Sequence, residues 1–277
     1  MRVGLLQLNS SDQPEQNIAP IVALMREAAT AGAHFVLTPE VTNCVSTSRT
    51  HQARVLQTEE QDITLAALRG EARALGLWLL IGSLALKTAS PDGRHANRSF
   101  LISPAGEIIA RYDKIHMFDV AISKAETFRE SEAYRPGNMA VLAKMPTAGI
   151  GMTICYDLRF PALHRALAQA GADILTSPAA FSPVSGAAHW HVLLRARAIE
   201  TGCFMLAPAQ CGRHATSAGR PRTTYGHSLA VSPWGEVLAD GGTEPGVTMV
   251  DLDLEQVAAC RGKIPSLSHD RPFEGPG

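Results

Sequence analysis

The chain has 277 residues, with 25 basic and 26 acidic side chains and a formal net charge of −1. Hydrophobic residues make up 45% and charged residues 18%, a balance typical of a globular protein with one large core. Basic runs and basic residues interleaved with aromatic ones do not occur, which argues against a nucleic acid partner. The longest apolar stretch, residues 75–86, is interrupted by glycine and serine and is too short for a bilayer, so no membrane segment is expected.

The cysteines indicate a reducing compartment. They are odd in number and form no CxxC pair: Cys44, Cys155, Cys203, Cys211 and Cys260. The first residues, MRVGLLQL, are typical of a strand rather than of a secretory signal. We therefore predict a cytoplasmic protein with free thiols, any of which is available for chemistry.

The predicted elements alternate short apolar strands with longer helices. In chain order they are a strand at 3–8, a helix at 14–30, a strand at 35–38, a helix at 63–75, a strand at 77–81, a helix at 161–169 and a strand at 174–176. A glycine separates helix from strand each time. This repeated unit predicts an α/β fold in which helices cover sheets.

Two segments have matching sequences, ISPAGEIIA at 102–110 and VSPWGEVLA at 231–239. Each predicts a hairpin with a Pro-x-Gly turn, and together they suggest a duplicated half-domain with two sheets packed face to face. Good turn chemistry alone would explain either copy. No linker interrupts the chain, so we predict one domain at 1–260. A tail at 261–277, rich in Pro, Ser and Gly, is expected to wrap the subunit or a partner.

Cys155 is the first candidate for chemistry. Apolar residues lead up to it, and a helix is predicted from Pro161. A cysteine at the end of a buried strand lies at the carboxyl edge of a sheet, where α/β folds bind ligands. The turn after it leaves amide groups free to bind a developing negative charge. Position alone favours an inert buried thiol, because most free cysteines only pack in the core.

Glu40 and Lys114 strengthen the case for Cys155. Glu40 ends an apolar segment, and burying a carboxylate without a partner is costly. Lys114 directly follows the first predicted hairpin. Each alone is more commonly a solvated side chain. Together they place a base, a cation and a nucleophile at the ends of three strands, as thiol acyl transfer requires.

In order and context, these three segments resemble the Glu–Lys–Cys triad of the nitrilase superfamily of carbon–nitrogen hydrolases. The resemblance covers nearly the whole chain and is closest to the Nit1-type branch, the deaminated glutathione amidases. It is carried by CYDLRFP at 155–161, AHW at 188–190, LLRARAIET at 193–201, AQCGRH at 209–214 and YGHS at 225–228. It implies a single-domain, four-layer α-β-β-α sandwich of two mixed sheets, an amide substrate and no cofactor. It also implies at least a homodimer, paired through the helices near Pro161 and Ala187.

The resemblance also implies roles for individual residues. Cys155 attacks the amide carbonyl, and Glu40 acts as general base both for the thiol and for the hydrolytic water. Lys114 and the backbone N–H of Tyr156 stabilise the oxyanion. Glu130 matches the second glutamate of the family, although a solvated loop acid would have the same sequence context.

For substrate binding, Phe181 is expected to form an apolar wall and Arg213 to bind a carboxylate. Further basic residues share the glycine-rich segment 211–223: His214, Arg220 and Arg222. A solvated surface loop is the simpler interpretation for each of them.

Two local features complete the sequence-based predictions. Asp157 and Arg159 are expected to form an ion pair that supports the turn after Cys155. His189 and His191 form an H-x-H pattern, with histidine at 191 where related sequences usually have glutamate. Two residues apart on a helix they face different directions, so we predict no metal site.

The substrate has alternatives on the same scaffold. An ω-amidase and an N-carbamoyl amino acid hydrolase would use the same three residues. A true nitrilase is disfavoured because Tyr-Asp, rather than Trp-Glu, comes after Cys155. A non-catalytic interaction protein is disfavoured by the intact Glu40, Lys114 and Cys155.

Overall fold

The computed structural model describes residues 1–122 and 127–275. The strands are β1 (Arg2–Gln7), β2 (Phe35–Leu37), β3 (Trp78–Leu86), β4 (Ala96–Ile102), β5 (Ile108–Asp113), β6 (Asp119–Ala121), β7 (Thr127–Arg129), β8 (Val141–Lys144), β9 (Gly149–Met152), β10 (Ile174–Thr176), β11 (Phe204–Ala207), β12 (Cys211–Arg213), β13 (Thr223–Tyr225), β14 (Leu229–Val231), β15 (Val237–Asp240) and β16 (Gly246–Asp251). The helices are α1 (Pro14–Thr30), α2 (Arg49–Val55), α3 (Ile63–Leu75), α4 (Pro161–Gln169), α5 (Pro183–Thr201) and α6 (Glu255–Lys263).

Two six-stranded mixed sheets form the centre of the molecule. The first has the order β16-β1-β2-β3-β4-β5 and the second the order β15-β14-β11-β10-β9-β8. Within each sheet three adjacent strands are parallel, namely β1, β2 and β3 in the first and β9, β10 and β11 in the second. The outer strands are antiparallel to their neighbours. Short connections and helices between parallel strands account for the helix–strand rhythm of the sequence.

Alternating side chains of the first sheet pack in two directions. Val3 and Leu5 belong to the core shared with the second sheet, whereas Leu6 packs with Ile21 and Met25 of α1. This alternation results from the two-residue period of a strand. With α1 and α3 outside the first sheet and α4 and α5 outside the second, the predicted four-layer α-β-β-α sandwich is confirmed.

Both predicted hairpins are present, as β4–β5 and β14–β15. In the first turn the N–H of Ser103 donates to the carbonyl of Glu107 at 2.9 Å, and in the second the N–H of Ser232 donates to Glu236 at 2.8 Å. Each hairpin also has a register shift at the strand residue before that serine. The two turns therefore have the same structure.

Strand β3 is longer than the predicted 77–81. Gly82 lies inside this strand, which continues through a register shift to Leu86. A Cβ atom at Gly82 would lie 2.0 Å from the carbonyl oxygen of Thr38. The glycine thus permits close approach of two backbones and does not end the strand.

The tail contacts the subunit's own helix α4. Arg165 donates to Asp270 and to the carbonyl of Ser266, and Gln169 donates to the carbonyl of Leu267. Helix α6 extends from Glu255 to Lys263 and therefore continues past residue 260, where we expected the domain to end. No helix in the described ranges has the length and apolarity needed to cross a membrane.

Candidate active site

Three loops at the carboxyl ends of strands bring Glu40, Lys114 and Cys155 together. They follow β2, β5 and β9 respectively. The ammonium of Lys114 lies 2.8 Å from Oε1 of Glu40, and the thiol of Cys155 lies beside the Glu40 carboxylate, whose charge acts on it. All three residues are buried. The sequence-predicted base, cation and nucleophile therefore form one contiguous group.

Glu130 belongs to the same group. It begins a short 3-10 helix, Glu130–Glu132, and its two carboxylate oxygens lie 2.9 and 2.8 Å from Nζ of Lys114. The N–H of Phe118 donates to Oε2 at 2.6 Å. Lys114 is thus held between two carboxylates, which fixes the position of its charge.

Asn97 joins the two glutamates and was not predicted. Its Nδ2 donates to Oε1 of Glu40 at 3.0 Å and to Oε1 of Glu130 at 3.2 Å, and its carbonyl accepts the N–H of Lys114. Asparagine is depleted in strands. A buried asparagine inside β4, paired with the strand that leads to Lys114, is the signal that could have identified it.

The backbone is strained at Cys155. Its φ is +49°, in the left-handed region that costs a non-glycine residue about 1–2 kcal/mol. Cys155 begins the 3-10 helix Cys155–Arg159, and the next residue is Tyr156. The first amides of a helix have no intrahelical partner, so the N–H of Tyr156 is available to a ligand.

Asp157 stabilises this turn, but not through Arg159. Its fully buried carboxylate accepts hydrogen bonds from the N–H of Ile154, the hydroxyl of Tyr112 and both the N–H and Nδ1 of His116. The predicted Asp157–Arg159 ion pair is wrong. The four donors already satisfy the carboxylate, and the Arg159 guanidinium lies instead over the rings of Tyr156 and Phe181.

A second strained residue comes directly after Glu40. Val41 has φ +46°, which is unusual for a β-branched side chain. Its N–H donates to Oγ of Ser83 at 2.8 Å. The N–H of Ala180 donates to Oε2 of Glu40 at 3.0 Å, and the Glu40 carbonyl accepts from Gln210. These contacts hold the carboxylate toward the thiol. Strain of this kind concentrates at functional sites.

The charge states of the site result from these contacts. Burial alone would raise the pKa of Glu40, but the charges of Lys114 and Arg222 outweigh it and hold that pKa below its ordinary value. Burial opposes charge on Lys114 as well, yet Glu130 and Glu40 raise its pKa well above the ordinary value. Burial and the Glu40 charge raise the pKa of the Cys155 thiol. The resting site therefore holds a neutral thiol beside an ionised glutamate and a charged lysine.

A cavity of about 530 Å³ opens onto this group. Phe181, Tyr156 and Phe118 contribute aromatic walls, so Phe181 lies where we expected it. Arg222 lines the cavity and donates to the carbonyl of Ala180.

The other basic residues of segment 211–223 divide between the cavity and the rest of the protein. Arg220 lines the cavity, whereas Arg213 is exposed and is not among the lining residues. The buried ring of His214 contacts the carbonyl of Ser10 and the hydroxyl of Thr224. The position of Arg213 therefore does not support a role in substrate binding. Arg222 lines the cavity, where we expected Arg213.

Comparisons with known proteins agree with this geometry. The family model for carbon-nitrogen hydrolase matches residues 2–262. Deaminated glutathione amidase from Yersinia enterocolitica is 38% identical over 270 residues, covering 97% of this chain and 92% of that protein.

Solved structures extend the likeness. The Caenorhabditis elegans NitFhit protein superposes with a TM-score of 0.89 at 32% identity; the match covers 98% of this chain and 65% of that chain. A variant of the amidase from Nesterenkonia sp. AN1, with acrylamide added at its active-site cysteine, superposes with a TM-score of 0.77 at 25% identity, covering 96% and 98% of the two chains.

The fold and the buried Glu–Lys–Cys group define a thiol hydrolase of the α-β-β-α class. The chain belongs to the carbon–nitrogen hydrolase family, in the nitrilase superfamily. Its activity is that of a thiol-dependent amidase. The resemblance inferred from the sequence motifs is thereby confirmed.

Proposed function

We propose that the chain hydrolyses deaminated glutathione through a thioester on Cys155. The observation that carries the proposal is the contact of Cys155 with Glu40, and of Glu40 with Lys114, at one end of a cavity that Arg222 also lines. A nucleophile, a base and a fixed cation are the groups that amide hydrolysis through a thioester needs.

In acylation, Sγ of Cys155 attacks the amide carbonyl carbon while Glu40 accepts the thiol proton. The ammonium of Lys114 and the N–H of Tyr156 donate to the oxygen as it becomes negative. The carbon–nitrogen bond then breaks, and Glu40 returns the proton to the leaving amine. Lys114 does not act as the base, because its raised pKa keeps it protonated.

In deacylation, a water molecule replaces the amine. Glu40 takes one proton from the water as its oxygen attacks the thioester carbonyl, and returns that proton to Sγ as the carbon–sulfur bond breaks. Glu130 and Asn97 keep Lys114 and Glu40 in place through both steps. Glu40→Gln should therefore fail to turn over, and any acyl group that still forms on Cys155 should persist because no base activates the water, visible as an added mass on the intact protein.

The substrate part of the proposal rests on charge and on relatives. The matched Yersinia enterocolitica protein is named deaminated glutathione amidase. That compound is a peptide-like molecule with carboxylates, and the cavity is lined by Arg49, Arg129, Arg220 and Arg222. A volume of about 530 Å³ lies within the range of ordinary small-molecule sites.

A substrate panel tests this. Deaminated glutathione should be hydrolysed with a much higher kcat/KM than α-ketoglutaramate or N-carbamoyl-β-alanine. Preference for the N-carbamoyl compound, or for the ω-amide, would contradict the substrate while leaving the thiol chemistry intact.

Substitutions of Arg222 and Arg213 form a matched pair that also tests the proposed substrate. Arg222→Gln should raise KM for the carboxylate-bearing substrate, and it should also raise the pKa of Glu40 because one stabilising charge is lost. The acidic limb of kcat/KM should then move to higher pH. Arg213→Gln, at an exposed position outside the cavity, should change neither quantity.

We further propose that the chain forms a homodimer, or a higher homo-oligomer, in the cytoplasm. Helix α5 exposes Val184, Val192 and Ile199, which recur at helical spacing along one face. An apolar face of this kind suits self-association across a two-fold axis, together with α4. The free cysteines suit a reducing compartment. Light scattering that shows a monomer at micromolar concentration would contradict the assembly.

A further inference from the structure

A second group of ionisable side chains lies outside the active-site cavity. It consists of His191 on α5, His227 between β13 and β14, and Asp240 at the end of β15. Nε2 of His191 lies 2.9 Å from Oδ2 of Asp240, and Nδ1 of His227 lies 2.9 and 3.1 Å from its two oxygens. Three elements distant in sequence thus direct one donor atom each to a common point.

We propose that His191, His227 and Asp240 form a binding site for a divalent transition metal such as Zn²⁺. Two imidazole nitrogens and one carboxylate oxygen are a ligand set that zinc accepts. The candidate donor atoms all lie within 4.8 Å of one another. Zinc bonds of about 2.0–2.1 Å at tetrahedral angles put neighbouring donors roughly 3.3 Å apart. The two imidazole nitrogens lie 2.9 and 3.1 Å from Oδ2, within a few tenths of an ångström of that spacing.

The surrounding structure holds two of these ligands in position. The N–H of His227 donates to the carbonyl of Gly242, and its own carbonyl accepts from the indole of Trp190. The ring of His227 also stacks on Tyr225, with centroids 4.5 Å apart. The N–H of Gly242 donates to Oδ1 of Asp240, which leaves Oδ2 facing both imidazoles. Supporting contacts of this kind orient metal ligands and raise affinity.

The site is reachable from solvent. The side chains of His191 and Asp240 are 34% exposed and that of His227 is 23% exposed. Three protein ligands leave the fourth tetrahedral position to water. Binding also needs a lone pair on each imidazole, so protons compete with the metal for this site.

The H-x-H pattern does not supply this site. His189 faces away and contacts Arg159, and only His191 of the pair contributes a ligand. The other two ligands come from the β13–β14 connection and from β15. A bound ion would therefore join α5 to the second hairpin, and it should stabilise the folded state by mass action.

Zinc binding to the full-length, untagged protein, freed of metal by a chelator, tests the proposal by isothermal titration calorimetry. The wild type should bind one Zn²⁺ at this site, and its Tm should rise as ZnCl₂ is added. His191→Gln and Asp240→Asn should each weaken that binding by at least about tenfold. Both variants should also lose the rise in Tm.

Two controls distinguish this site from others. His189→Gln removes a neighbouring exposed imidazole and should bind zinc like the wild type. Cys155→Ala removes the active-site thiol, a competing ligand, and should leave the calorimetric site in place. The proposal is overturned if the wild type shows no saturable binding, if His191→Gln and Asp240→Asn bind as tightly as the wild type, or if only Cys155→Ala abolishes binding. If His191→Gln is less stable than the wild type even without metal, the zinc affinity of folded Asp240→Asn, measured by calorimetry, decides whether the proposal holds.

Discussion

The two sheets repeat one another strand for strand, yet only some strand ends carry the active-site residues. Each sheet has an antiparallel edge strand, three parallel strands and then an antiparallel hairpin. In each hairpin the carbonyl of the turn glycine accepts a hydrogen bond from an arginine of the covering helix. Arg69 of α3 binds Gly106 at 2.8 Å, and Arg195 of α5 binds Gly235 at 2.7 Å. The repeat therefore extends to individual contacts.

The two sheets differ in the residues just beyond their strand ends. In the first sheet β2 continues into Thr-Pro and then Glu40; in the second, β10 continues into Ser-Pro and then Ala179. Both strands occupy the middle of a parallel group, but only the first places a carboxylate at its end. Turns and core packing repeat because they serve the scaffold. The groups proposed as catalytic do not repeat, because one site needs only one base and one nucleophile.

The largest expected effect tests whether the nucleophile is the cysteine at the end of β9 and no other. Cys155→Ala should lower kcat by roughly 10⁶-fold, the scale of losing a covalent nucleophile. The fold should persist, because alanine fits where the thiol was. Cys203→Ala is the matched control, since Cys203 is equally buried beside the opposite, amino end of β11. It should keep near-normal kcat in a steady-state assay; a loss there would contradict the assignment of the nucleophile.

Lys114→Ala should have the next largest effect. Loss of an oxyanion donor costs about 3 kcal/mol or more in kcat. The same change leaves the buried Glu40 and the partly buried Glu130 without their shared cation, which should lower the free energy of unfolding by about 3–5 kcal/mol. Steady-state kinetics and urea denaturation measure the two losses.

Lys144→Ala, at an exposed lysine of edge strand β8, is the control for Lys114→Ala. It should change neither kcat nor the free energy of unfolding. If Lys114→Ala keeps normal kcat, the electrostatic role proposed for Lys114 is wrong.

The comparison of the two sheets also explains which residues of the site could be predicted from the sequence. Glu40 and Cys155 each come after an apolar run, so the pattern that predicts a strand also predicts its end. Asn97 lies inside a strand, and the hairpin pattern that predicts the pairing of β4 with β5 does not show that its side chain contacts Glu40 and Glu130, which come from other segments. Arg213 and Arg222 share a glycine-rich segment without periodicity, the first at the end of β12 and the second just before β13. Which of them faces the cavity depends on the path of the backbone, and the residue types do not specify that path.

Asn97→Leu should have a moderate effect, because it removes the link between the two carboxylates while nearly preserving volume. Hydrogen bonds to charged groups contribute about 1.5–3 kcal/mol each, so kcat should fall by roughly tenfold or more. Ser99→Ala is the control, since Ser99 lies on the same strand and donates to the carbonyl of Ile81, away from the carboxylates. Equal kcat in both variants would show that Asn97 does not position the base.

The smallest effect, on stability alone, tests how closely the two turns match. Gly106 and Gly235 have φ of +77° and +88°, so alanine at either should cost about 1 kcal/mol for the backbone conformation. A Cβ at Gly106 would also lie 2.8 Å from the carbonyl oxygen of Arg69, within the backbone of α3. A Cβ at Gly235 would instead meet the side chain of Ile199, which is 56% exposed and can move. Urea denaturation should therefore show Gly106→Ala to be the more destabilised variant, with kcat unchanged in both. The reverse order would mean that the covering helices do not constrain the two turns as their contacts indicate.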